Sequence, residues 1–194
     1  MSPSRCRNIK RSLPRIVGVD DGAFSASRGA GKTVLVAVLL GGLHILGMRV
    51  GSIQVDGTNA HRVLVSLLRN FSYDSVMLSG ISFGGFNLID MKRLALATGR
   101  PVIAVIGEKP NNRAVREALR KHFDDWRRRW SMVMNAGHLY SCKPLAGEPR
   151  LYFEVRGGSP SFARGTIASV ALISRLPEPV RVAGIIARGL RLFG

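Results

Sequence analysis

The sequence predicts an α/β domain built on a mixed five-stranded sheet of order 3-2-1-4-5, with helices on both faces. Three observations carry that expectation. The chain opens with three β-rich runs joined by glycine-containing turns, and turns of that kind make neighbouring strands antiparallel. It continues as helix, strand, helix, strand, and helical crossovers make neighbouring strands parallel. Apolar residues make up 46% of 194 residues, enough for a sizeable core in one domain.

Each element has its own local reason. Pro14 precedes "RIVGVD", a short β-rich run that ends in acid and reads as the first strand. "TVLVAVLL", residues 33–40, is the second strand, and Gly41-Gly42 make the next turn. "HILGMRVGSIQV", residues 44–55, is the third. In "DGTNAHRVLVSLLRN" the apolar residues Val63, Val65, Leu67 and Leu68 fit either period. Thr58 is a good N-cap, however, and the stretch is longer than a usual strand, so a helix is expected over about 59–70. "SVMLSG" is the fourth strand, closed by Gly80. "FNLIDMKRLALATG" places Leu88, Met91, Leu94 and Ala95 at helical spacing and stops at Gly99. "RPVIAVIG" is the fifth strand.

"NNRAVREALRKHFDDWRRRWSMVMN" is strongly helical, with Val115, Leu119, Phe123 and Trp126 in register and a break expected near Asp124-Asp125. "HLYSCK" and "RLYFEV" read as two more strands. "PSFARGTIASVALISRL" and the segment after "PEP", "VRVAGIIARGLRLF", read as closing helices. Without repeats or a low-complexity linker, residues 14–194 form one expected domain behind a basic tail, 1–13.

The charge is lopsided. Twenty-nine basic residues, 23 of them Arg, face 12 acids and give a net charge of +17. Arginine binds phosphate bidentately and stays charged when partly buried, so a nucleic-acid partner is expected. Cys6 and Cys142 are too few for a disulfide scaffold, and the four histidines show no zinc-ligand spacing with them. The basic N-terminus lacks the apolar core of a signal peptide, and residues 34–47 are too short to span a bilayer. A cytoplasmic protein without membrane association is the expectation.

"SASRGAGKTVLV", residues 25–36, superficially resembles a phosphate-binding loop. Such a loop requires GxxxxGK[ST] and then a helix, whose N-terminus faces the phosphates. Here Ala26 stands where the first glycine belongs, and a β-branched strand follows Thr33. The segment reads as a long hairpin turn without a nucleotide cofactor. Arg28 and Lys32 are its candidate contacts to a nucleic-acid backbone.

The strand order is that of ribonuclease-H-like folds, where carboxylates at neighbouring strand ends hold divalent metals. Hard ions such as Mg²⁺ require oxygen ligands. In "VGVDDG" a period of two puts Gly18 and Asp20 on one face, and Val19 and Asp21 on the other. Asp20 and Asp21 are candidate catalytic acids, with Asp21 equally suited to cap the Gly22 turn. Asp56 in "QVDG" is a candidate second catalytic acid and metal ligand beside Asp20, or an Asp-Gly turn. Ser79 sits at the carboxyl end of the fourth strand, where ligands gather in open sheets. Asp90, expected inside the first turn of the second helix, suits the helix dipole. Glu108 reads as a loop acid.

"RIVGVDDGAF", "VMLSGISFGGFNLIDMKRLALATGRPVIAV" and "LYFEVRGGSPSFARGTIASVALISRLPEPVRVAGIIA" resemble the archaeal endonuclease-V-like family, also called the endonuclease dU family. The resemblance covers about residues 14–193, and "GFNLID" and "PEPVRVA" are its more specific motifs. More distantly the chain is similar to endonuclease V. The resemblance implies Mg²⁺- or Mn²⁺-dependent cleavage of DNA or RNA beside deaminated or damaged bases, as in DNA repair. It implies a metal role for Asp20 and a nucleic-acid contact at Asn87 of the "GFN" motif. The fourth-strand acid of endonuclease V falls on Ser79, and its "PGH" segment appears as "RGGSP" without the histidine. A non-catalytic nucleic-acid-binding protein on the same fold is the alternative.

Overall fold

The computed structural model describes residues 14–23 and 31–190. The expected basic tail, Cys6, Ala26 and Arg28 lie outside the described residues. Strands β1 (Arg15–Asp21), β2 (Lys32–Gly41) and β3 (His44–Gln54) form an antiparallel meander. Helix α1 (Ala60–Leu68) leads to β4 (Ser75–Leu78), which pairs parallel to β1. A two-stranded ribbon, β5 (Ser82–Phe83) and β6 (Asn87–Leu88), precedes α2 (Met91–Thr98). Strand β7 (Val102–Ile106) then pairs parallel to β4.

Helices α3 (Asn112–His122) and α4 (Trp126–Asn135) break where the Asp-Asp pair was expected to interrupt them. Strands β8 (Tyr140–Cys142) and β9 (Leu151–Arg156) follow, then α5 (Pro160–Val170) and α6 (Glu178–Gly189). The order β3-β2-β1-β4-β7-β9-β8 contains the expected five-strand order and extends it. The extension comes from β9, which adds antiparallel to the open edge of β7, with β8 beyond it. An unpaired β7 edge would have left a row of backbone donors and acceptors bare.

Period two sorts the side chains into two layers. Val17, Val19, Leu35, Ala37, Val76, Leu78, Val102 and Ala104 face the layer of α1 and α2. Ile16, Met77, Ile103, Val105 and Phe153 face α5 and Val180 of α6. Val34, Val36 and Val38 of β2 pack on Ala183 and Ala187 of α6. Because both faces are covered, β2 is buried from Thr33 to Leu40 as an almost unbroken apolar run. That is why "TVLVAVLL" is a strand although it follows Gly-Lys.

Helix α6 comes unusually close to β1. A Cβ on Gly18 would lie 1.9 Å from the Pro179 carbonyl oxygen, so only glycine fits there. Since backbone cannot move aside as a flexible side chain does, Gly18→Ala is expected to destabilise the fold by at least about 1–3 kcal/mol. A lower urea midpoint, with the slope unchanged, checks this.

Candidate active site

The carboxyl end of β1 carries the central acid. Period two puts Asp20 on the α6 face with Gly18, and Ser79, one residue past β4, on the same face with Met77. The parallel β1–β4 register brings them together. Ser79 Oγ donates to Asp20 Oδ1 at 2.5 Å, and the Asp21 amide donates to the same oxygen at 2.9 Å. Asp20 Oδ2 faces the backbone of Gly184, where a Cβ would lie 2.3 Å away. Arg188, one turn further along α6, holds Nη1 3.9 Å from Oδ2. Burial raises the Asp20 pKa above the ordinary carboxylate value. The Ser79 hydroxyl, the Asp21 amide and the Arg188 charge work against that rise without cancelling it.

Asp21 points to the opposite face, as the alternation requires. Its Oδ2 accepts from the Gly84 amide at 2.5 Å. Burial, reinforced by the charge of Asp20, pushes its pKa up to about 6 against the pull of that amide. Asp56 serves the same loop from its other side. Its Oδ1 accepts from the Phe86 amide at 2.8 Å, and its own amide donates to the Gly84 carbonyl at 2.7 Å. At Gly85, φ +81°, a side chain would be strained, and its Cβ, 2.2 Å from Asp56 Oδ1, would push that carboxylate off the Phe86 amide. Asp21 and Asp56 therefore grip the turn 84–86 between them. Arg129, buried on α4, adds bonds to the carbonyls of Phe86 at 2.6 Å and Gly57 at 3.0 Å.

The donor set suits one hydrated hard cation better than a pair of ions in a carboxylate cage. Among the described residues no three His, Cys, Asp or Glu side chains come together as a metal-holding group. Asp20 and Asp21 lie on opposite faces, and Asp56 is engaged by the Phe86 amide. Magnesium commonly keeps several waters and takes one or two carboxylates plus substrate phosphate. Asp20, half-buried and with its pKa raised, is a carboxylate whose ionised form a cation would stabilise.

Other expected site residues find structural roles. Asn87 corrects the nucleic-acid expectation: it is fully buried, its Oδ1 accepts from Ala60 N, and its Nδ2 donates to Gln54 O and Asn59 Oδ1. It ties the start of α1 to the ribbon, which leaves no polar atom for a ligand. Asp90 is the N-cap of α2, not a first-turn residue, and accepts from Arg93 N at 3.0 Å. Glu108 is exposed beyond β7, and Lys32 is exposed at the start of β2. Sequence reasoning missed Gly184, Arg188 and Glu154. A glycine in the interior of α6 and an arginine four residues later were the available signal for the first two.

Glu154 lines a cavity of about 200 Å³ with Ile81, Phe86, Ile106, Pro110 and Val115. Because Glu154 pairs with Ala104, the cavity lies on the α1 and α2 face of the sheet, opposite to Ser79 and Asp20. Burial pushes the Glu154 pKa up to about 7, with only the charge of Arg156 opposing it.

A mixed sheet of this order, with an acid at the carboxyl end of its first strand, defines the ribonuclease-H-like class. Solved structures agree. The catalytic domain of human endonuclease V superposes with a TM-score of 0.59 at 18% identity, over 91% of this chain and 82% of that one. Aquifex aeolicus Argonaute gives 0.56 at 12% identity, over 95% of this chain and 29% of that one. A protein of unknown function from Archaeoglobus fulgidus gives 0.78 at 28% identity, over 89% and 95%. The chain belongs to the Endonuclease dU family, whose model matches residues 13–191. A relative in Thermococcus gammatolerans, a UPF0215 protein, is 38% identical over 187 residues, 93% of each chain. Another UPF0215 protein, from Pyrococcus furiosus, is 31% identical over 186 residues, again 93% of each.

The Glu154 carboxyl gives a pH test with a definite sign. Its folded pKa lies above the ordinary 4.5, so the folded state binds the proton more tightly than the unfolded chain. Its contribution to stability is present below about 4.5 and is lost as pH rises through about 7. Glu154→Gln should therefore gain stability relative to the native protein at pH 8 but not at pH 4. Urea midpoints at the two pH values measure it.

Proposed function

We propose that this chain is a divalent-metal-dependent endonuclease that acts on nucleic acid at deaminated or damaged bases. The observation that carries the reading is Asp20. A half-buried carboxylate stands at the carboxyl end of an inner strand of a ribonuclease-H-like sheet, with a hydroxyl just past the neighbouring strand holding it. The net charge of +17 supplies attraction for a polyphosphate strand. Endonuclease V from Ciona intestinalis, similar in fold, has been solved with DNA containing an inosine followed by a ribo-adenosine.

In this reading Asp20 anchors Mg²⁺ or Mn²⁺, and that ion supplies positive charge at the scissile phosphate. Ser79 fixes the Asp20 carboxylate in one orientation and stabilises its ionised form. Asp21 and Asp56 act one step removed, by holding the turn 84–86 at the edge of the site. The apolar cavity at Glu154, at the opposite face of the sheet from Asp20, is the candidate pocket for the base. Its apolar walls suit a flat ring turned out of the stack. A protonated Glu154 carries a donor and an acceptor side by side, which can meet the adjacent C=O and N–H of a deaminated base. Arg28 and Lys32 remain candidate contacts to the strand.

A second reading has one observation in its favour. Ser79 stands where endonuclease V carries an acid, which leaves fewer ligands for metal. The same fold would then bind nucleic acid without cutting it.

Oligonucleotides holding a single deoxyuridine or deoxyinosine, incubated with Mg²⁺ or Mn²⁺, separate the readings. Cleavage by the native protein is expected. Asp20→Asn should lose at least about a hundredfold in rate while still binding, since one negative charge has left a site that meets phosphate. Ser79→Asp should raise the rate by adding a ligand. A native protein and a Ser79→Asp variant that both bind and never cut would overturn the enzyme and leave the binding protein.

A further inference from the structure

A second cavity, of about 190 Å³, opens where α1, α2 and α4 begin, lined by Thr58, His61, Arg62, Arg93, Arg128 and Arg129. Topology places it at the same edge of the sheet as Asp20 but on the other face. Helix α1 follows β3, which runs parallel to β1, and α2 follows β4. Arg129 pins the start of α4 to the same edge through its bonds to Gly57 and Phe86.

The charges around the cavity do not cancel. Two carboxylates line it, and both have local work: Asp90 caps α2, and Asp125 pairs with Arg129 at 2.7 Å. Arg62, Arg93 and Arg128 are exposed, and none of them forms an ion pair among the described residues. Helices α1 and α4 start without a side-chain cap, so first-turn amides add to the positive field. His61 Nδ1 is buried with no hydrogen-bond partner. A buried polar atom without a partner is costly, and a polar occupant would relieve it.

We infer that this cavity is a phosphate subsite that takes one backbone phosphate of the bound nucleic-acid strand, remote from the phosphate at Asp20. Three arginine forks from three helices can meet phosphate oxygens from different directions, as guanidinium geometry favours. The subsite sets where the strand crosses the edge of the sheet. The inference rests on the nucleic-acid reading above, but on no assumption about cleavage.

Binding measured without divalent metal tests it. Arg62→Ala, Arg93→Ala and Arg128→Ala change exposed side chains, and Lys143→Ala, past β8 at the far edge of the sheet, removes the same charge elsewhere. Each arginine variant should weaken binding of a labelled oligonucleotide about tenfold at low salt. It should also flatten the dependence of log affinity on log salt by about one. Lys143→Ala should leave the slope unchanged. Millimolar inorganic phosphate should raise the melting temperature of the native protein and have no effect on the Arg93→Ala/Arg128→Ala double variant.

Arginine variants with native slope and affinity overturn the subsite. If they also lose the phosphate-dependent melting shift, the cavity holds a free anion instead of a strand. Equal losses in the arginine variants and Lys143→Ala overturn it too, because bulk charge then explains the effect. A native protein that binds no oligonucleotide sinks the nucleic-acid reading itself.

Discussion

Gly18 meets the Pro179 carbonyl so closely that β1 and α6 touch backbone to backbone, and much of the site follows from this contact. Two residues on, Asp20 is carried into the same seam against Gly184. The seam removes water from the carboxylate, which raises its pKa and makes its few polar partners count. Those partners are a hydroxyl just past β4, a neighbouring amide and an arginine at ion-pair distance, 3.9 Å away. A looser helix would leave Asp20 as an ordinary solvated acid.

The turn 84–86 is the second organising element. Its glycines at φ +51° and +81° allow the backbone to present amides to Asp21 and Asp56. Arg129 holds the same segment from α4, and its guanidinium stacks 4.3 Å from the Phe123 ring centre. Two of the three candidate catalytic acids thus shape a loop. That loop is also a wall of the apolar cavity, through Phe86. Acid chemistry and base-sized space are therefore mechanically linked at one edge of the sheet. The helix starts that frame the basic cavity lie at that edge as well, and the arrangement suits a polymer that touches several points at once.

Much was legible from local pattern. The strands of the meander, the crossover helices, the break between α3 and α4, and the opposite facing of Asp20 and Asp21 were read from sequence and stand in the structure. These properties depend on the period of neighbouring residues, which one stretch of chain displays by itself. The family resemblance came from short motifs of the same local kind.

Tertiary packing decided the rest. Ser79 and Asp20 are 59 residues apart, Asp21 and Gly84 63, and Asn87 and Ala60 27, and no local period joins such pairs. Asn87 was expected to meet nucleic acid from the resemblance of its "GFN" motif; only the fold shows that it is fully buried, with both amide hydrogens and one lone pair of Oδ1 engaged inside. Glu154 lies in "RLYFEV", which the sequence marked only as a strand. It became a half-buried acid because α3 and the ribbon closed over its face of β9. Chain pattern determined which residues share a face, since that is a matter of backbone repeat. What each face meets, and how far each charge is stripped of water, depended on elements distant in sequence coming together.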